Sequence, residues 1–241
     1  MFDPPRKNVT KTTVSENKRA IIFDLDGTLV DTLPDIALIL NRVLVEQGLR
    51  QLTQAEIRLM IGNGAQQLIK KSFRKFRLDA NDNRMNSTLN RFMDYYSANP
   101  VVHSNLFSGV VNTLKILQNK GFALGICTNK PQKITERLLE EFSIRNFFGN
   151  AVIGGDTLTV RKPNPKHLLA VVKKTLSTPK NTIMVGDSVV DVTTARNAKI
   201  PIIIVDFGYT AISPKQLGAD IVMSKFKDLP GHIENLIQKF N

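Results

Sequence analysis

Arg19–Thr28 reads RAIIFDLDGT, and this stretch decides the fold. Arg19 to Asp24 (RAIIFD) is a short apolar run ending in a carboxylate and predicts a buried strand. Two acids follow, Asp24 and Asp26, two positions apart, which points both side chains to one side if extended geometry continues. Gly27 then permits a sharp turn. One acid in a turn at a strand end is ordinary. A pair followed directly by Gly-Thr has no structural purpose that the local sequence supplies. In parallel sheets ligands gather beyond the carboxyl ends of the strands, which is where these acids fall.

Working outward, similar apolar runs lie at Phe122 to Cys127, Ala151 to Ile153, Thr182 to Val185 and Pro201 to Val205. Helical patterns alternate with them, at Val110 to Asn119, from Pro131, at Pro165 to Leu176, at Val189 to Ala198 and at Leu229 to Phe240. Alternating strands and helices predict an α/β fold with a doubly wound, Rossmann-like parallel sheet. One interval breaks the rhythm: roughly 100 residues separate Asp24 from Thr128, where a crossover needs about 10–12. It carries helical patterns at Leu33 to Gln47, Thr53 to Met60, Ala65 to Phe76 and Asn86 to Tyr96. The expected organisation is a flexible tail at 1–19, an α/β core at 20–33 and 104–241, and an inserted all-helical cap domain at 34–103.

Three more segments fall at strand ends. Cys127-Thr128-Asn129-Lys130-Pro131 leads from a strand into a helix, where free N–H groups favour an anion and a hydroxyl completes a cradle; alone, it reads equally as an N-cap. Arg161-Lys162-Pro163-Asn164-Pro165 places a lysine before a helix opened by proline; alone, a surface lysine. Gly186-Asp187-Ser188-Val189-Val190-Asp191 follows a strand directly, and its two acids, four apart, share a helix face; alone, a capped helix start. Taken together, the four segments bring a nucleophile, a phosphate cradle, a cation and a carboxylate cluster to one crevice.

This set resembles the haloacid dehalogenase-like phosphatases: Asp24-Leu25-Asp26-Gly27-Thr28 matches their first motif, Thr128-Asn129 the second, Lys162-Pro163 the third, and Gly186-Asp187 with Asp191 the fourth. The resemblance covers nearly all of the chain after Arg19, and the helical insertion is similar to the cap of members that carry it between the first two motifs. Within the family the chain looks most like phosphoglycolate phosphatases, through Phe23 to Ile36, Gly62-Asn63-Gly64-Ala65 and Phe207-Gly208-Tyr209. The resemblance implies that Asp24 is the nucleophile, that Asp26 is the general acid and base, and that Mg²⁺ is held by Asp24, the Asp26 carbonyl and Asp187. Asp191 and Thr28 would support that cluster. Lys162, Thr128 and Asn129 would hold the phosphoryl oxygens. Gly62, Asn63, Gly64 and Arg42 are the candidates in the cap for reading the rest of the substrate.

The 241 residues carry a net charge of +12, 42% apolar residues and one cysteine. The single cysteine excludes an intramolecular disulfide and fits a reducing cytosol; no apolar run of about 20 residues predicts a membrane span. The first residues, polar and basic, lack the apolar centre of a secretory signal. A cytoplasmic monomer or homodimer acting on a small phosphorylated metabolite, here 2-phosphoglycolate, is the expectation. Pyrophosphate, a sugar phosphate or a phosphomutase reaction are alternatives that the core motifs do not separate. The charge, densest at Lys70 to Arg77 (KKSFRKFR), raises a nucleic-acid-binding alternative, though such runs are usually a solvated helix face.

Overall fold

The structure, a computed structural model, describes residues 18–78 and 82–240; the expected tail falls almost entirely outside them. Among the described residues the main sheet has strands β1 (Ala20–Phe23), β4 (Ala123–Cys127), β5 (Val152–Ile153), β6 (Thr182–Gly186), β7 (Ile202–Val205) and β8 (Ile221–Met223). They run parallel in the order β5-β4-β1-β6-β7-β8. Two further short strands, β2 (Val30–Asp31) and β3 (Asn105–Leu106), pair antiparallel. The helices are α1 (Leu33–Glu46), α2 (Gln54–Arg58), α3 (Ala65–Lys75), α4 (Asp82–Ala98), α5 (Val110–Asn119), α6 (Gln132–Glu141), α7 (Pro165–Lys174), α8 (Val189–Asn197) and α9 (Leu229–Phe240).

The strand pleat sorts the core into two layers. Ile21 and Phe23 of β1, with Ile126, Val185 and Ile203, join one buried cluster with Leu114 of α5, Leu138 of α6 and Ile233 of α9. Ile22, with Cys127, Met184 and Ile202, faces the other, against Leu168 of α7 and Ala195 of α8. Alternate residues of one strand therefore bury on opposite faces, as period-2 geometry requires, and the sheet is covered on both sides. Phe23 packs edge-on to Phe148 and stacks on Phe226, with ring centroids 6.4 and 6.2 Å away. The result is the expected doubly wound α/β sheet, with β1 central.

The chain leaves this sheet after β1, and α1 to α4 follow before it returns. The β2–β3 ribbon joins the two connections, pairing Val30 with Leu106 and Asp31 with Asn105. Asp35, buried in the first turn of α1, ties them further. Its Oδ2 accepts from Val102 N (3.0 Å) and Ser104 N (2.9 Å), and its Oδ1 accepts from His103 N (2.8 Å). Short strands of one apolar and one polar residue escape the apolar-run criterion, so β2 and β3 were not predicted; nor was β8, although its run IVM is as long as that of Ala151 to Ile153.

Within α3, Leu68, Ile69 and Phe73 are buried while the basic residues lie on the other side. Lys71 Nζ donates to the Met60 carbonyl (3.1 Å), and Lys75 pairs with Glu56 (3.1 Å). Lys70, Lys71, Arg74 and Lys75 are thus the charged side of an amphipathic helix, and Arg77 lies just beyond its end. No helix of the described residues is long and apolar enough to cross a membrane.

Candidate active site

Asp24 follows β1, Thr128 follows β4, and Asp187 follows β6; β4 and β6 are the two neighbours of β1. Adjacent parallel strands end at the same edge of the sheet, which brings these residues together although they are far apart in sequence. Helices α1, α3 and α4 form the other wall, so that one cleft is lined by Asp24, Asp26, Thr128, Asn129 and Lys130 from the sheet side and by Ile36, Ile61, Gly62, Gly64, Leu68, Phe92 and Tyr96 from the helical side.

Asp24, Asp187 and Asp191 are all buried and can offer ligand atoms within 4.8 Å of one another. Lys162 Nζ lies 2.8 Å from Asp24 Oδ1 and 2.7 Å from Asp191 Oδ1. With all three acids ionised, one ammonium leaves the dry site with excess negative charge, an unfavourable arrangement without a further cation. Burial pushes Asp24 up to about 7 against the pull of Lys162, and Asp191 adds to the rise. Asp187 is pushed well above the usual carboxylate range by burial, then by Asp191 and Asp24. Burial alone would lower Lys162, but Asp191 and Asp24 reverse this and hold its ammonium above the ordinary range. An all-oxygen, net-negative cluster of this kind is chemically matched to a hard divalent cation.

The members of the cluster differ in how free they are. Asp191 is fully engaged: Oδ1 accepts from Lys162, and Oδ2 accepts from Ser188 N (3.1 Å), Ser188 Oγ (2.6 Å) and Asp187 N (3.3 Å). It therefore anchors the start of α8 and Lys162. Asp187 accepts from Tyr209 N at Oδ2 (2.6 Å). Gly27, at φ +79°, lies so close that a Cβ there would fall 2.4 Å from Asp187 Oδ2; only glycine lets the first motif close against the fourth.

The Asp26 carboxylate does not join the cluster. Oδ1 accepts from Thr32 Oγ1 (2.7 Å) and Lys130 Nζ (2.9 Å), and Oδ2 lies 3.2 Å from the same ammonium. Lys130 is itself buried and donates also to the Tyr96 hydroxyl on α4. Thr128 Oγ1 accepts from Lys130 N (3.2 Å), and its own proton has no acceptor among the described residues. The helix after it is less open to an anion than its sequence suggests, because Gln132 N donates to Asp156 Oδ1 (2.7 Å). Asn129 Nδ2 donates to the Lys162 carbonyl (3.1 Å) and to the Gly62 carbonyl (3.0 Å), joining two motifs to the helical wall. The Thr28 hydroxyl and Asn129 Oδ1 are buried without a hydrogen-bond partner among the described residues.

On the helical side Gly62 and Gly64 line the cleft. Gly64, at φ +83°, starts α3 with no side-chain cap, so the first N–H groups of that helix remain available. Asn63 is not a lining residue. Arg42 is a correction: its guanidinium pairs with Glu46 (3.6 Å), lies 3.7 Å over the Tyr95 ring, and is 61% exposed. Its position on α1 turns it to solvent, away from the cleft. Sequence reasoning missed Lys130, which directly follows Thr128-Asn129 and could have been found there, and Tyr96, which in an apolar helical stripe carried no signal. It gave Phe207 to Tyr209 no structural role. In the fold Tyr209 N holds Asp187, its hydroxyl donates to Asp31 Oδ1 (2.6 Å) and accepts from Leu33 N (3.0 Å), and Arg58 of α2 donates to the Phe207 carbonyl (3.1 Å).

Behind the sheet, His167 is buried, with Nε2 3.0 Å from the Gly154 carbonyl and Nδ1 3.5 Å from Cys127 Sγ. Burial lowers the imidazole to about 4 and raises the thiol to about 12. A neutral ring that donates from Nε2 leaves Nδ1 to accept from the thiol, which makes this a packing pair.

A phosphoglycolate phosphatase of Caulobacter vibrioides is 39% identical over 214 residues, covering 89% of this chain and 90% of its own. Another, of Agrobacterium fabrum, is 36% identical, covering 90% and 94%. A crystal structure described as a predicted phosphoglycolate phosphatase from Haemophilus somnus superposes with a TM-score of 0.82 at 30% identity, over 91% of this chain and 99% of that one. The sequence profile of the haloacid dehalogenase-like hydrolases matches residues 21–205, and the chain belongs to that family.

Proposed function

We propose that this protein is a cytoplasmic, Mg²⁺-dependent phosphatase that hydrolyses 2-phosphoglycolate to glycolate and phosphate through an aspartyl-phosphate on Asp24. The observation that carries the reading is the buried Asp24–Asp187–Asp191–Lys162 cluster, whose Asp24 opens onto a small, largely apolar cleft. The relatives named phosphoglycolate phosphatase support the substrate. Residues 34–103 serve as the cap over an α/β core at 20–33 and 104–241.

Uncatalysed phosphate monoester hydrolysis is extremely slow, and a carboxylate nucleophile splits it into two easier displacements. Asp24 attacks phosphorus as the ester P–O bond breaks, and the leaving alkoxide takes a proton from Asp26. Water then attacks the aspartyl-phosphate, Asp26 takes its proton, and phosphate leaves with Asp24 restored. Thr32 and Lys130 fix the Asp26 carboxyl in place for both transfers. Lys162, the Thr128 hydroxyl and the Asn129 backbone bear on the phosphoryl oxygens. Mg²⁺, held by Asp24, Asp187 and the Asp26 carbonyl, supplies the positive charge that offsets repulsion between the nucleophile and its anionic target. The walls formed by α1, α3 and α4 exclude water and leave room for a small leaving group.

Phosphate release from 2-phosphoglycolate, pyrophosphate and a panel of sugar phosphates, with Mg²⁺ and with chelator, tests this. Metal-dependent release with the highest kcat/KM for 2-phosphoglycolate is expected. A different best substrate would overturn the substrate, and full activity in chelator would overturn the metal.

A further inference from the structure

Lys130 and Tyr96 carry no role in the chemistry described so far beyond placing Asp26, yet both are buried in the cleft wall. Lys130 is 4% exposed and Tyr96 3%. Lys130 is the one cationic side chain lining the cleft among the described residues; Lys162, paired with Asp24 and Asp191, lies behind it. Arg161, whose guanidinium lies beside Gly64, is not among the lining groups. Burying a lysine is costly, and a nearby carboxylate alone does not require it to reach the helical wall. Its ammonium does reach that wall: it touches the Tyr96 hydroxyl, as donor, and sits 4.5 Å from the centre of the same ring. The Tyr96 oxygen is therefore the acceptor in that bond. Its own O–H proton has no acceptor among the described residues, and burial holds the phenol protonated well beyond the ordinary range.

A cation and an unpartnered O–H donor thus converge beside Asp26, in walls otherwise made by Ile36, Leu68 and Phe92. Asp26 is the group placed at the leaving oxygen. In 2-phosphoglycolate a single methylene separates that oxygen from the carboxylate, so groups hydrogen-bonded to or beside the Asp26 carboxyl lie where the carboxylate must fall. We propose that Lys130 and Tyr96 form the subsite that recognises the carboxylate of the leaving group, and so select short 2-phosphorylated carboxylic acids over neutral esters of the same size. This rests on the phosphatase reading above. Tyr96 comes from α4 and Lys130 from the turn after β4, so the bound carboxylate would also bridge the helical wall to the sheet.

The test compares 2-phosphoglycolate with 2-hydroxyethyl phosphate, which keeps the ester and replaces the carboxylate by a neutral hydroxymethyl group. The readout is the ratio of kcat/KM for the two esters in wild type, Lys130→Met, Lys130→Arg and Tyr96→Phe. Removing a charge-assisted hydrogen bond from a dry site predicts that the ratio falls about 10- to 100-fold in Lys130→Met. It should fall less in Tyr96→Phe, and least in Lys130→Arg, which keeps the cation. Equal losses on both esters, or an unchanged ratio, would overturn the proposal and leave Lys130 as a positioning residue for Asp26. If Lys130→Met turns over too slowly to measure, calorimetric binding of the two esters to Asp24→Asn, with and without Lys130→Met, gives the same ratio without turnover. A wild type that does not prefer the carboxylate ester would overturn the phosphoglycolate reading itself; a wild-type preference that survives in the variants would overturn this subsite alone.

Discussion

The floor of the site gathers Asp187, Asp191 and Lys162 behind Asp24, which alone of the four lines the cleft, whereas the helical wall offers Ile36, Ile61, Leu68 and Phe92 and, among the described residues, one side-chain hydroxyl, that of Tyr96. Asp24 and Asp187 are set by strand ends, whose positions follow from the register of a parallel sheet, while Lys162 comes from the loop after β5 and Asp191 from the first turn of α8. The helical wall is set by apolar packing, and most of its polar contribution comes from backbone, at Gly62 and Gly64. On the proposed reading the difference divides the labour: the floor would hold the groups that any phosphate ester needs, and the helical wall with the turn at Lys130 the groups that tell one leaving group from another.

Substitutions on the floor should break turnover of every ester alike. Asp24→Asn, nearly isosteric, should lower kcat by roughly 10⁴-fold or more, measured by phosphate release, with near-native circular dichroism. Loss on one ester only would contradict the division. Lys162→Met should cost about 10²- to 10³-fold in kcat on all esters. It should also destabilise the fold by about 3–5 kcal/mol, because Asp24 and Asp191 lose their buried partner; denaturant unfolding reads this.

A third test separates floor from wall through pH. Asp24 and Asp187 both titrate above the ordinary carboxylate range because burial disfavours their charge. A raised carboxyl contributes stability that is complete below the unfolded value and is lost as pH rises through the folded one. For Asp24 that window runs from the usual carboxylate range up to about 7. Metal-free protein should therefore lose stability between about pH 4 and 7, and a divalent cation should restore it most where the acids are ionised. Saturating Mg²⁺ should raise Tm by about 5–10 °C at pH 8 and by much less at pH 5. An equal rise at both would remove the cluster as the binding site. The smallest effect belongs to Arg42→Ala, which should change kcat/KM by less than about twofold, as expected of an exposed pair; a large loss would return Arg42 to the cleft.

The same division explains what could be read from sequence. Part of the floor was legible because Asp24 and Asp187 each follow an apolar run, as Thr128 beside them does, whereas Lys162, expected at a strand end, stands nine residues beyond β5 and Asp191 lies within α8. Once the runs are strands of one parallel sheet, their ends must meet. The all-helical nature of Leu33 to Tyr96 was legible from periodicity, but the direction of each side chain was not. Arg42 and Tyr96 lie on helices of similar pattern, and only packing decides that Arg42 lies over Tyr95 at the surface while Tyr96 turns inward to Lys130. The Asp35 contacts to residues 102–104 and the hold of Tyr209 on Asp187 join residues far apart in the chain, which a linear pattern does not encode.

The most direct test of Asp24 as nucleophile is acid quench during turnover of ³²P-labelled 2-phosphoglycolate with Mg²⁺, followed by peptide mapping. The account predicts label on the peptide containing Asp24, released by hydroxylamine as an acyl phosphate is, and no label or turnover in Asp24→Asn. Label on another residue, or wild-type turnover by Asp24→Asn, would contradict it.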